Sequence, residues 1–270
     1  MADCCKLRVM HCGDVNMDRA LPYREKTWHP APHTGLFRSK SKRVTTPVSA
    51  YLIEHPQGRV LIDTGWHVEM RDNMKKHIGF PNSLAFRGTL PEGSAVHEQL
   101  EALGLTPRDL DFVILTHLHA DHVSGLPLVR QAKNILTTQA EWVAANREFG
   151  YNKKMWNGVK IDTFEPQNIP FGPYQKGLDL FGDGLLHLVF TPGHSRGQLS
   201  VLVKVEGGYV LLATDVGYST RSWNEMILPG VVVDEKQARD SLQWVRDFSR
   251  RPDCLAVLAN HDPDVAPCVY

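Results

Sequence analysis

One stretch of eleven residues constrains this chain more than any other: Phe112-Val-Ile-Leu-Thr-His-Leu-His-Ala-Asp-His122. Its apolar start reads as a buried strand, and it ends at once in potential ligands. His117 and His119 are two residues apart, so on an extended backbone their rings face one side. Asp121 and His122 follow where the strand must turn. Three imidazoles and a carboxylate within six residues make a poor core, because each buried polar group needs its own partner. They suit a borderline cation that takes nitrogen and oxygen ligands. An exposed His-rich turn is the plainer reading, and the donors supplied further along the chain weigh against it.

Three later fragments carry the same residue types: Thr191-Pro-Gly-His194, Ala213-Thr-Asp215 and Asn260-His-Asp262. With His-x-His-x-Asp-His at 117–122, they resemble the metallo-β-lactamase superfamily, in that family's order and across nearly the whole chain. One fragment alone would be a weak signal; four in order are specific. The resemblance implies an α/β (α+β) fold, the four-layer αββα metallo-β-lactamase sandwich, with a dinuclear metal site at one edge of the sheets. It assigns His117, His119 and His194 to one metal, and Asp121, His122 and His261 to the other. Asp215 and a hydroxide would bridge them. Two divalent metal ions are thus expected. Zinc is the first choice on ligand type, with manganese, iron and cobalt also compatible. Leu61-Ile-Asp-Thr-Gly65 matches the family as well. Asp63 there is expected to orient a ligand histidine from behind, and a turn-capping role before Gly65 is an equally open reading.

The 270 residues carry 30 basic and 30 acidic side chains, a formal net charge of zero. With no long Lys/Arg run, that disfavours an enzyme tracking a phosphate backbone. No linker separates the ligand fragments, so a single domain over 1–270 is expected. The start of the chain is short and polar and resembles neither a signal peptide nor a membrane span, which implies a cytoplasmic protein with no membrane partner. Cys4, Cys5, Cys12, Cys254 and Cys268 read as reduced thiols, with Cys4-Cys5 as a metal or redox pair the lesser alternative.

The segments between motifs read unevenly. A strand at 7–11 precedes an aperiodic stretch at 14–46, expected to be a lid, an interface loop or a solvated loop. Its basic cluster Arg38-Ser-Lys-Ser-Lys-Arg43 reads as a solvated face. Apolar runs flanking His55-Pro-Gln-Gly58 predict a β-hairpin, as do those flanking Glu206-Gly-Gly208. Helices are expected at 94–103, at 139–147 behind a Thr138/Glu141 capping box, and at 234–249. Strands are expected at 134–136, 185–190 and 255–258. The aromatic-rich segment at 150–182 reads as a pocket wall or as satellite core.

The bridging Asp215, the absence of a second substrate domain and the neutral charge narrow the resemblance to N-acyl homoserine lactone hydrolases. Thr214-Asp-Val-Gly-Tyr218 is the most specific local match. It implies that Tyr218 faces the substrate carbonyl and donates to the developing oxyanion. A Tyr packed under the loop is the alternative. Asp121 would act as both ligand and general acid, passing a proton to the leaving ring oxygen. Trp28, Phe37, Phe86, Trp156 and Trp223 are candidates to hold the acyl tail. The partner would be a small-molecule lactone, with no nucleic acid, and a homodimer stays open. Two other readings remain: a lactonase or esterase for another metabolite, such as a pyridoxine-derived lactone, and a mononuclear iron persulfide dioxygenase.

Overall fold

The computed structural model describes residues 4–80 and 82–270. Residues 1–3, part of the polar start noted above, and Pro81 lie outside the described residues. The first seven strands are β1 (Lys6–Asp18), β2 (Arg43–His55), β3 (Gly58–Ile62), β4 (Phe86–Thr89), β5 (Phe112–Ile114), β6 (Asn134–Thr138) and β7 (Asp162–Phe164). They form one sheet in the order β4-β1-β2-β3-β5-β6-β7. The next six are β8 (Gln167–Asn168), β9 (Lys176–Asp179), β10 (Leu186–Phe190), β11 (Leu199–Val205), β12 (Gly208–Thr214) and β13 (Cys254–Ala259). They form a second sheet in the order β13-β12-β11-β10-β9-β8. The helices are α1 (Glu69–Ile78), α2 (Asn82–Ala85), α3 (Val96–Ala102), α4 (Ala120–Val123), α5 (Gln139–Ala145), α6 (Thr220–Glu225) and α7 (Glu235–Phe248). None of the described helices is long and apolar enough to cross a membrane.

Strand alternation generates the layers. Side chains at i and i+2 leave a strand on the same face. In β2, Tyr51 and Ile53 point into a cluster shared with Leu199, Val201 and Val203 of β11 and with Val210 and Leu212 of β12. Their neighbours Ala50 and Leu52 point the other way, into a cluster with Val96 and Leu100 of α3 and Val123 of α4. On the second sheet, Leu211 and Ala213 of β12 meet Ala238, Leu242, Val245 and Phe248 of α7. Helix, sheet, sheet and helix therefore stack around three apolar seams, the expected αββα order. Asp234 caps α7 by accepting from the Gln237 N–H at 2.9 Å.

The expected loop at 14–46 is shorter than its sequence suggested. The ladder between β1 and β2 shifts register between His11 and Asp14, where Gly13 takes φ 101°. A bulge adds one residue and reverses which parity faces inward. Val15 and Met17 therefore face the outer cluster, whereas Leu7 and Val9, of the same sequence parity, face the inner one. The remaining segment, 19–42, is tied down. Buried Asp18 accepts from Arg38 at 2.8 Å, and Arg38 also pairs with Glu25 at 2.7 Å. Arg43 donates to Asn16 at 2.6 Å. The basic cluster is thus only partly a solvated face: two of its cations are structural, and Lys40 stays exposed.

Candidate metal centre

Strand ends deliver the ligand candidates to one edge of the two sheets. After β5 the chain stays extended through His119, then turns into α4, which carries Asp121 and His122. His194 follows β10, Asp215 follows β12 and His261 follows β13. The hinge into Asp215 is a strained one: Thr214 has φ 51°, a conformation a β-branched residue adopts only when its surroundings hold it there. Thr214 Oγ1 donates to the Leu199 carbonyl at 2.9 Å. The side-chain amide oxygen of Gln198 faces the N–H groups of Asp215 and Val216 at 3.1 and 2.8 Å.

All seven predicted ligand positions come together. His117, His119 and His194 offer ligand atoms within 4.8 Å of one another, as do Asp121, His122 and His261. Asp215 lies between the two sets. Its Oδ2 is 3.5 Å from His194 Nε2, while its Oδ1 is 3.3 Å from His122 Nε2 and 3.5 Å from His261 Nε2. His261 Nε2 is 3.3 Å from Asp121 Oδ2.

The backs of the rings are hydrogen-bonded, which aims the other nitrogen inward. His122 Nδ1 donates to Asp63 at 2.8 Å, and His261 Nδ1 to the Pro47 carbonyl at 2.8 Å. His194 Nδ1 donates to the Val231 carbonyl at 3.2 Å. Asp63 also accepts from the Thr116 N–H and hydroxyl, each at 2.8 Å, and from Asn260 at 3.2 Å. It therefore braces a histidine from behind, and does more than cap a turn. On the inner side, His117 Nε2, His122 Nε2, His261 Nε2 and Asp215 Oδ1 are buried with no hydrogen-bond partner among the described residues. Buried lone pairs converging on one spot cost free energy unless a cation takes them. The donor set thus fits two divalent ions.

The electrostatics of the bare site agree. Burial pushes His194 down to about 4 and His117 well below its ordinary value, so both imidazoles present lone pairs at neutral pH. Burial also opposes charge on His122, but the carboxylates of Asp215 and Asp63 outweigh it and raise its pKa well above the ordinary value. Stripping metal with a chelator is expected to lower stability by about 2.7 kcal/mol for metal formerly at a hundredfold excess over Kd. For a chain of this size that is a Tm decrease of roughly 5–10 °C. Differential scanning calorimetry with and without re-added Zn2+ checks this, and an unchanged Tm would show the site takes no metal.

Glu141 is the residue that sequence reasoning misread. Thr138 does cap α5, accepting from the Glu141 N–H at 3.1 Å, yet the Glu141 carboxylate does not return to the cap. Fully buried, it accepts from Leu118 N–H at 3.0 Å, Ser195 Oγ at 2.6 Å, Gly197 N–H at 3.0 Å and Tyr151 OH at 3.1 Å. It ties the His117–His119 segment to the turn after His194. Thr138-Gln-Ala-Glu141 is so good a capping box on paper that it masked this role.

A cavity of about 370 Å³ opens beside the centre, touching His119, Asp121, His194, Asp215 and Tyr218. Met17, Leu21, Leu36, Leu84, Phe86 and Phe149 make most of its wall. Of the five aromatic candidates for the tail, only Phe86 lines it. Trp28 and Phe37 are fully exposed, because 19–42 turns them outward. Trp156 and Trp223 pack into the outer cores. Tyr218 stacks on His261, ring centroids 5.0 Å apart and 19° from parallel.

A family model described as the metallo-beta-lactamase superfamily matches residues 43–252. The chain belongs to the metallo-β-lactamase superfamily. Its relatives within that family include the N-acyl homoserine lactonase AttM of Azorhizobium caulinodans, 31% identical over 229 residues, covering 82% of this chain and 84% of the relative. The N-acyl homoserine lactonase of Bacillus cereus is 27% identical over 227 residues, covering 80% and 81%. A solved N-acyl homoserine lactone hydrolase with N-hexanoyl-L-homoserine at its catalytic metal centre matches the fold with a TM-score of 0.76 at 23% identity. That match covers 97% of this chain and 94% of that one. The αββα order is that expected of the superfamily.

Proposed function

We propose that this protein is a dinuclear-metal lactonase that opens the ring of N-acyl homoserine lactones. The coarser statement, a metal-dependent hydrolase acting on carboxylic ester bonds, follows from its superfamily and its lactonase relatives. The observation that carries the finer reading is the position of Asp215. One of its oxygens faces His194 and the other faces His122 and His261, at the floor of an apolar cavity. A pair of divalent ions held there supplies a water activated as a nucleophile at neutral pH and polarises a carbonyl.

The chain's own groups then have distinct tasks. The cavity wall from Met17 to Phe149 holds the acyl tail and excludes water. Tyr218, which lines the cavity, donates its hydroxyl to the lactone carbonyl oxygen as negative charge grows on it. Asp121 carries a proton to the ring oxygen as that oxygen leaves. The product is the open hydroxy acid. Two ligand sets side by side favour this over a mononuclear dioxygenase. A largely apolar wall favours an acyl tail over a polar, pyridoxine-derived ring.

The test is proton release at constant pH from N-acyl homoserine lactones of short and long chain, using zinc-loaded protein. Ring opening that improves with chain length is expected. No opening at any length, with two metals bound, would sink the homoserine-lactone reading. Tyr218→Phe is expected to lower kcat by about 10²-fold, the scale of one lost oxyanion donor, with KM little changed. An unaltered kcat would remove Tyr218 from the reaction.

A further inference from the structure

A second group of metal-type donors lies outside the centre just described. His67, Glu69 and His77 offer ligand atoms within 4.8 Å of one another. They line a separate cavity of about 310 Å³, together with Ser124 and Pro127. His77 Nδ1 is 2.9 Å from Glu69 Oε2, and the rings of His67 and His77 lie 5.2 Å apart and 12° from parallel. From this arrangement we infer that His67, Glu69 and His77 form an outer binding site for one borderline divalent cation such as Zn2+, open to solvent and separate from the catalytic centre.

Three features support it. The donors are the nitrogen and oxygen types that such a cation takes. His77 already has the support a ligand histidine needs: its Nε2 is 2.7 Å from Ser124 Oγ. With a cation on Nδ1, that Nε2 keeps its proton and donates it to Ser124, fixing ring orientation. The site is also reachable, since the Glu69 side chain is 66% exposed while that of His77 is mostly covered.

Binding puts the cation on Nδ1 and the single ring proton of His77 on Nε2, and leaves the contact with Glu69 Oε2 bridged by the metal. A nitrogen of His67 completes the protein ligands, giving up the weak 3.1 Å contact from the Glu69 N–H to His67 Nδ1 if that atom is used. Water fills the remaining positions. Lys76 and Lys154 line the same cavity, so their charge makes this site weaker than the inner one. Ser124 Oγ also accepts the His67 N–H at 3.0 Å and directly follows α4. An outer cation therefore sits one hydrogen bond from the helix that carries Asp121 and His122.

Equilibrium dialysis of the intact protein against a slight excess of free Zn2+, followed by elemental analysis, tests the inference. Wild type is compared with His67→Gln and with Glu69→Gln, whose exposed position leaves folding undisturbed. Wild type is expected to hold one more equivalent than either variant. Because the readout is a difference between proteins, it does not depend on how many ions the inner centre holds or on what it hydrolyses. Equal zinc content in all three proteins, with matching circular dichroism, would overturn the outer site.

Discussion

Asp121→Asn is expected to lower kcat for lactone opening by about 10²–10⁴-fold, the range for a lost general acid. The carboxamide keeps the size and one oxygen of the original, so it still faces His261, which now lies 3.3 Å from Asp121 Oδ2. It cannot carry the proton to the ring oxygen. Leaving groups of different basicity separate this role from a loss of metal. An ester whose leaving group needs no proton should be cleaved almost as well by the variant as by wild type. A site that had merely lost its ions would fail on both substrates alike. Parallel rates on poor and good leaving groups would assign Asp121 to ligation alone.

Glu141→Ala is expected to cost roughly 3–5 kcal/mol, the scale of breaking a buried charged network. That corresponds to a Tm lower by roughly 10 °C. The variant leaves the Leu118 and Gly197 N–H groups and the Ser195 hydroxyl without their acceptor. Because those loops carry His117, His119 and His194, zinc affinity should also fall by about 10–100-fold. Glu141→Gln, which retains an acceptor oxygen, should land between. A Tm decrease with wild-type zinc affinity would make Glu141 an ordinary core group with no part in shaping the centre.

The contrast between Asp121 and Glu141 explains what the sequence could reveal. Ligands cluster by chemistry and recur at the ends of apolar runs, so His117 to His261 stood out from residue types alone. Glu141 carries no such mark. Two of its partners are backbone N–H groups 23 and 56 residues away along the chain, and backbone donors leave no trace in a sequence. The hairpins and α7 were legible because their periodicity is simple. β1 was not, since the bulge at Gly13 interrupts its ladder midway. The aromatics of 19–42 were misread for a related reason. Whether Trp28 points inward depends on how that segment is pinned to Asp18 and to the Leu228 and Gly230 backbone, and that is decided by contacts distant in sequence.

β12 and β13 run parallel, so the chain must leave the sheet through α6 and α7 before it can return to set His261 beside Asp215. His261 is therefore synthesised after every other ligand position, and the second ligand set is incomplete until then. Up to that moment the nascent chain can offer a cation His117, His119, Asp121, His122, His194 and Asp215, but not His261. A complete donor set thus requires β13 to have docked beside β12.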